Sequence, residues 1–146
     1  NSQFLTLGGG DFQAFAGGID DCIMDHLFHE IFVPGGNGLW ADSGFLVAPI
    51  HLPAGAQVLS ITAHVYDTEP NLNYIVNLFR KLNTRGYVNE ASFTVNAGVV
   101  GNYSQTFTGG PLINGTNSYF LTMRDDASGG SENFAVQNVV IEWRMP

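Results

Sequence analysis

The sequence predicts an all-β protein, a jelly-roll or related Greek-key sandwich of about eight strands, and three observations lead there. Turn-forming clusters recur along the whole chain, among them "LGGGD", "PGGNG", "LPAG", "NTRG", "TGGP", "INGTN" and "DASGGS". Short apolar runs of strand length fill the intervals. Where a run is long enough to show a period, the period is two, as a strand with one buried face requires.

Taken in order, 4–7 is a short apolar strand followed by three glycines. The next segment breaks the pattern. In "DDCIMDHLFHEIFV", Met24, Leu27, Phe28 and Ile31 fall at helical spacing, and Asp20 or Asp21 is placed to cap a helix start. A short helix or irregular excursion is therefore expected near 20–33. Strands follow at 39–47 and 59–66. Between them Pro49 and Pro53 oppose helix, and Leu52-Pro53-Ala54-Gly55 is expected to form a type I turn. In the second strand Leu59, Ile61, Ala63 and Val65 alternate with Ser60, Thr62, His64 and Tyr66, so one face is buried. Further strands are expected at 74–80, 91–97, 103–108, 118–124 and 134–144. In the last, Val136 is out of step with Val139, Ile141 and Trp143, which predicts a bulge near Asn138.

A chain of 146 residues fits one domain and buries a core without disulfides or metal. The expected division is an arm or edge strand at 1–10 and a single sandwich over 11–146. Only 12% of residues are charged, about half the usual share, and the net charge is −8. Binding nucleic acid needs clustered Lys and Arg, and there is no basic run. No apolar run reaches the roughly 18–20 residues of a membrane-spanning helix. Cys22 is the only cysteine, so an internal disulfide is excluded and a small buried hydrophobe is the plain reading. A Lys-poor, Asn/Gly/Thr-rich chain beginning at Asn1 suggests an extracellular or cell-surface protein whose leader has been removed.

The run "APIHLPAGAQVLSITAHVYD", then "VNLFR", "NGTNSYFLTM" and "VVIEW", resembles a set of uncharacterised bacterial and environmental domains with a Pro-x-x-Leu-Pro-x-Gly-Ala strand entry. The similarity covers roughly 45–143. It implies a secreted or surface-exposed jelly-roll and brings no catalytic residues with it. The segment 20–33 departs from that pattern.

Several groups of residues are candidates for chemistry. His26, His29 and Glu30 would share one face of a helix, and two imidazoles with a carboxylate suit a transition metal. Solvated polar residues on an amphipathic turn are the plainer reading, since His-Glu-x-x-His is absent. Acidic pairs at Asp20-Asp21, Asp67-x-Glu69 and Asp125-Asp126 are the kind of loop carboxylates that hold calcium, though no Asp-x-Asp-x-Asp-Gly loop is present. Glycoside hydrolysis would draw on Asp67, Glu69, Glu90 or Glu142, but it needs two carboxyls facing across a cleft. With no Gly-x-Ser-x-Gly elbow, phosphate loop or dinucleotide fingerprint either, no enzyme is expected. Trp40, Tyr87 and Tyr103 are candidates for a platform that stacks on sugar rings; Trp143 and most phenylalanines read as core. Asn102-Tyr103-Ser104 and Asn114-Gly115-Thr116 match the N-glycosylation pattern.

These features lead to the expectation of a non-enzymatic extracellular subunit that partners copies of itself, in a filament, sheath, surface layer or virion-type assembly. The contact would be strand donation by Phe4, Leu5, Thr6 and Leu7 into a neighbour's sheet. The alternative is a carbohydrate-binding or adhesion module using loop aromatics, with or without calcium, whose partner is polysaccharide. Neither nucleic acid nor membrane insertion is expected.

Overall fold

The computed structural model describes residues 1–15, 23–25, 30–33, 45–67, 73–84, 86–96, 98–125 and 134–146. Two antiparallel sheets pack face to face. The first runs β3(Ile23–Asp25)–β4(Glu30–Val33)–β11(Phe134–Arg144)–β6(Gln57–Asp67)–β9(Gly101–Thr108), and β1(Gln3–Gly8) also pairs with β11. The second runs β2(Gln13–Phe15)–β5(Phe45–Ile50)–β10(Ser118–Asp125)–β7(Asn73–Lys81)–β8(Tyr87–Asn96). From β5 onward every connection passes from one sheet to the other except the β7–β8 hairpin, which is the wiring of a jelly-roll. Eight of the strands have six or more residues, as the turn rhythm led one to expect, and β2, β3 and β4 are short additions.

Alternation sets the core. Ile61, Ala63 and Val65 of β6, Val139 and Ile141 of β11, Leu46 and Ala48 of β5, Val76 and Leu78 of β7, and Leu121 and Met123 of β10 are all at 0% exposure. The bulge expected near Asn138 is present: the β11–β6 register shifts between Val136 and Asn138. A second shift, between Glu142 and Trp143, was not foreseen. It places Val58 opposite Trp143, so Val58 is buried and Leu59 only half-buried. The inward phase therefore changes at the start of β6. Across the open side of the sandwich, Phe93 of β8 stacks on Phe107 of β9 with ring centroids 4.5 Å apart.

The segment 20–33 is not helical where the structure describes it. Residues 23–25 and 30–33 are strands, β4 pairing with β11 as Val33↔Phe134 to Ile31↔Val136. The free flank of β11 offers backbone partners to an extended chain, and Ile31, Phe32 and Val33 are good strand formers, so tertiary pairing overrides the local helical spacing. The only helical element among the described residues is one 3-10 turn, Gly9–Asp11, where the Gly8 amide donates to Asp11 Oδ2 at 2.8 Å.

The N-terminal strand belongs to its own chain's sheet. β1 pairs with β11 along its whole length, Gln3↔Trp143 to Gly8↔Asn138, end to end with β4 on the same flank. Leu7 is buried in this core and Leu5 packs on it, while Phe4 is 65% exposed on the outer side.

The turn before β6 lies one residue later than expected. The Ala56 amide donates to the Pro53 carbonyl at 3.0 Å, and Gly55 has φ +85°, the value of the third position of a type II turn. Loop 109–116 packs on this turn through Gly55 N–H to Ile113 O at 2.9 Å, Ile113 N–H to Ala56 O at 2.8 Å and Val58 N–H to Pro111 O at 3.0 Å. There is no room for a side chain at Gly110, where a Cβ would lie 2.5 Å from Val58 Cγ1. Gly110→Ala is expected to destabilise by about 1–3 kcal/mol, seen as a lower urea midpoint at unchanged slope. Gly10→Ala, with nothing within 4 Å, serves as the control. An unchanged midpoint for Gly110→Ala would contradict this packing.

Candidate functional site: a recess on the outer face of the second sheet

In β10 the residues Tyr119, Leu121 and Met123 point to the core, so Ser118, Phe120, Thr122 and Arg124 must point the other way. In β7 Tyr74, Val76 and Leu78 point inward, leaving Ile75, Asn77, Phe79 and Lys81 outside. The registers arrange these outer residues in rows across the strands. Ser118, Lys81 and Tyr87 form the first; Pro49, Phe120, Phe79 and Asn89 the second; Val47, Thr122, Asn77 and Ser92 the third; Arg124, Ile75 and Thr94 the fourth.

The rows enclose a recess of about 650 Å³ whose floor is mostly apolar. Phe79 is at its centre. Its ring lies 5.2 Å from Phe120 with the planes 27° apart, and 5.2 Å from Tyr87 edge-on at 89°. Phe79 and Phe120 are direct cross-strand partners. Tyr87 reaches Phe79 diagonally, since Phe79 itself faces Asn89. Tyr87 is 64% exposed and stands as one wall. Beyond the rings the floor is polar but sunken: Asn77 is 8% exposed and Thr122 4%. Asn89 Nδ2 donates to Asn77 Oδ1 at 3.5 Å.

Pro49 lines the recess beyond the last β2–β5 pair among the described residues. β2 pairs only with Phe45, Leu46 and Val47, so the missing proline amide costs no sheet hydrogen bond. At the Ser118 end, Arg80 Nε donates to Glu90 Oε1 at 2.6 Å and its NH1 to Asn117 Oδ1 at 3.1 Å. The Glu90 bond raises the Arg80 pKa above its ordinary value despite some burial, so the guanidinium remains charged and the start of β10 stays tied to β8. A second cavity of about 340 Å³ shares Pro49, Ser118 and Tyr119 with the first and carries the concavity over the sandwich end towards His51 and Asn114.

Apolar lining with a few placed polar groups is the ordinary composition of a small-molecule or glycan site. Aromatic faces stack on apolar faces, and amides and hydroxyls fix orientation. Among the described residues the lining places no pair of carboxyls across the recess. Glu90 is bound to Arg80, and Glu142 lies on the other sheet, where it accepts from Ser60 Oγ at 3.1 Å.

Of the two described residues expected to form a sugar platform, Tyr87 is in this recess. Tyr103 is half-buried on β9 of the other sheet, opposite Val65 and packed against the core. Trp40 lies outside the described residues, as do His26, His29 and Cys22; Glu30 is described only as backbone of β4. Among the described residues no three His, Cys, Asp or Glu side chains gather where they could hold a metal ion, and no helix is long and apolar enough to cross a membrane. Sequence reasoning missed Phe79 and Phe120 by assigning phenylalanines to the core. The signal was present in β10, where Phe120 shares its phase with Ser118, Thr122 and Arg124.

No family model matches the chain, and no curated protein does. Solved structures do match. The xylan-binding module CBM15 aligns at a TM-score of 0.64 with 10% identity, covering 97% of both chains. Carbohydrate-binding module CBM36, in complex with calcium and xylotriose, aligns at 0.58 with 11% identity, covering 94% of this chain and 98% of that one. A family two carbohydrate esterase from Cellvibrio japonicus aligns at 0.52 with 9% identity over 99% of this chain, which spans only 35% of the esterase. At such identities the likeness is one of fold: this chain has the β-sandwich architecture of carbohydrate-binding modules.

Proposed function

We infer that the chain is a non-catalytic carbohydrate-binding module that holds a polysaccharide in the recess on its second sheet. The observation that carries this reading is the cluster of Phe79, Phe120 and Tyr87 on a solvent-facing sheet surface. The three rings lie outside the core cluster of the described residues, and an apolar recess with polar groups in its lining marks a binding surface. Phe79, Phe120 and Tyr87 stack on sugar rings, and the lining groups Asn77, Ser118 and Thr122 hydrogen-bond to hydroxyls. The fold likeness to a xylan-binding module and to one complexed with xylotriose supports xylan as the first ligand to try. The pairing of β1 with β11 favours this reading over assembly by strand donation, because Phe4, Leu5, Thr6 and Leu7 already complete their own sheet.

A polysaccharide ligand agrees with an extracellular or cell-surface location, and in this reading Tyr87, of the expected platform, contacts sugar. Among the described residues no carboxylate lines the recess, so calcium, if bound, is assigned to the acidic loops. The carboxylates nearest to a calcium role, Asp67 and Asp125, end β6 and β10, and their side chains are outside the described residues.

Retention on xylan in affinity electrophoresis tests the proposal. Tyr87→Ala and Phe79→Ala are expected to weaken binding about tenfold or more. Tyr87→Ala should leave the melting temperature nearly unchanged, because Tyr87 is largely exposed. Full retention by both variants would overturn the site. Binding is also expected to survive dialysis against a chelator, measured by titration before and after; loss of affinity on chelation would move the site to the acidic loops.

A further inference from the structure

The recess has a charge that the rest of the chain does not share. The protein carries five Lys and Arg against thirteen Asp and Glu, yet two of the five, Lys81 and Arg124, line this recess. No acidic side chain is among the described lining residues. The three carboxylates whose side chains are described are engaged elsewhere: Asp11 with the Gly8 amide, Glu90 with Arg80 and Glu142 with Ser60.

The two cations differ in what they can still do. Lys81 Nζ donates to the Leu82 carbonyl at 2.8 Å, to the Gly86 carbonyl at 3.3 Å and to the Thr84 carbonyl. All three of its hydrogens are used in fixing the β7–β8 turn, so it contributes charge but no free donor. Arg124 is exposed and makes no hydrogen bond or ion pair among the described residues. Its planar fork of donors matches a carboxylate in two parallel bonds, stronger and more selective than bonds to neutral hydroxyls.

Position gives a further constraint. Arg124 is four residues along β10 from Phe120, about 13 Å at the strand rise. The group it meets therefore lies beyond the sugar that stacks on the rings. A polynucleotide would bring a phosphate at every unit, for which the one guanidinium among the described lining residues, in a chain of net charge −8, is inadequate.

We propose that the recess selects uronate-bearing polysaccharides, with Arg124 binding a sugar carboxylate beyond the ring held by Phe79, Phe120 and Tyr87. This rests on the carbohydrate-binding reading and narrows it. The net negative charge of the chain does not prevent it, since at physiological salt charges beyond about 8 Å are screened.

The test uses matched polymers: glucuronoxylan and polygalacturonate, each native and carboxyl-reduced, titrated calorimetrically into the protein at low and high salt. Native forms of a bound polymer are expected to bind roughly tenfold more tightly than their reduced forms at low salt, with the difference shrinking at high salt. Arg124→Gln should bring the native polymer down to the affinity of the reduced one, and Arg124→Lys should recover part of the difference. Arg124 is exposed, so neither variant threatens the fold. Equal affinity of wild type for native and reduced polymer, or a difference that survives Arg124→Gln, would overturn carboxylate selection and leave the carbohydrate-binding reading standing. Absence of binding to all four polymers would overturn both.

Discussion

Strand β10 is paired along its length, with β7 on one side and β5 on the other, and the register of that pairing governs both surfaces of its sheet. On the inner side it sets Tyr119, Leu121 and Met123 against the first sheet. On the outer side it sets Phe120 beside Phe79 and Thr122 beside Asn77. A slip of one residue would exchange the two surfaces, burying Arg124 and expelling Met123. Such a slip is prohibitive, because a buried unpaired guanidinium costs far more than an exposed thioether. The hydrophobic effect therefore fixes the recess indirectly: the core pins the register, and the register delivers the aromatic rings.

The outer surfaces of the two sheets differ in kind. On the first, Thr62 bonds to Thr106 at 2.7 Å, His64 to Ser104 at 2.5 Å and Ser60 to Glu142, so cross-strand polar pairs satisfy one another. Phe4 and Tyr66 are the large apolar side chains exposed on that sheet among the described residues. On the second, rings and sunken polar groups occupy the equivalent positions, and the apolar area exposed there gains by being covered.

Much of the architecture was legible in the sequence. Period-two alternation at Ile61, Ala63 and Val65 identified the inward face of β6, and the misfit of Val136 identified the bulge, because both follow from local geometry. What failed depends on long-range pairing. Ile31, Phe32 and Val33 carry helical and extended possibilities alike, and only the free flank of β11 decides between them. The N-terminal strand reads as detachable in one dimension and as an ordinary partner of β11 in three. Tyr87 was recognised as a ring available for stacking. Its companions Phe79 and Phe120 were not, because Phe79 becomes an outward residue only once its register with β10 is known, and an isolated aromatic looks the same in a core or on a platform.

The central claim is that the second sheet's outer surface, and not a loop or the first sheet, receives the ligand. Backbone and aromatic NMR shifts followed through a titration with a soluble xylo-oligosaccharide test it most directly. The account expects the largest changes at Asn77, Phe79, Tyr87, Phe120 and Thr122, with Thr62, His64, Ser104 and Thr106 unmoved. Saturable changes confined to the first sheet or to the sandwich ends, with the Phe79 and Phe120 rings unmoved, would contradict it.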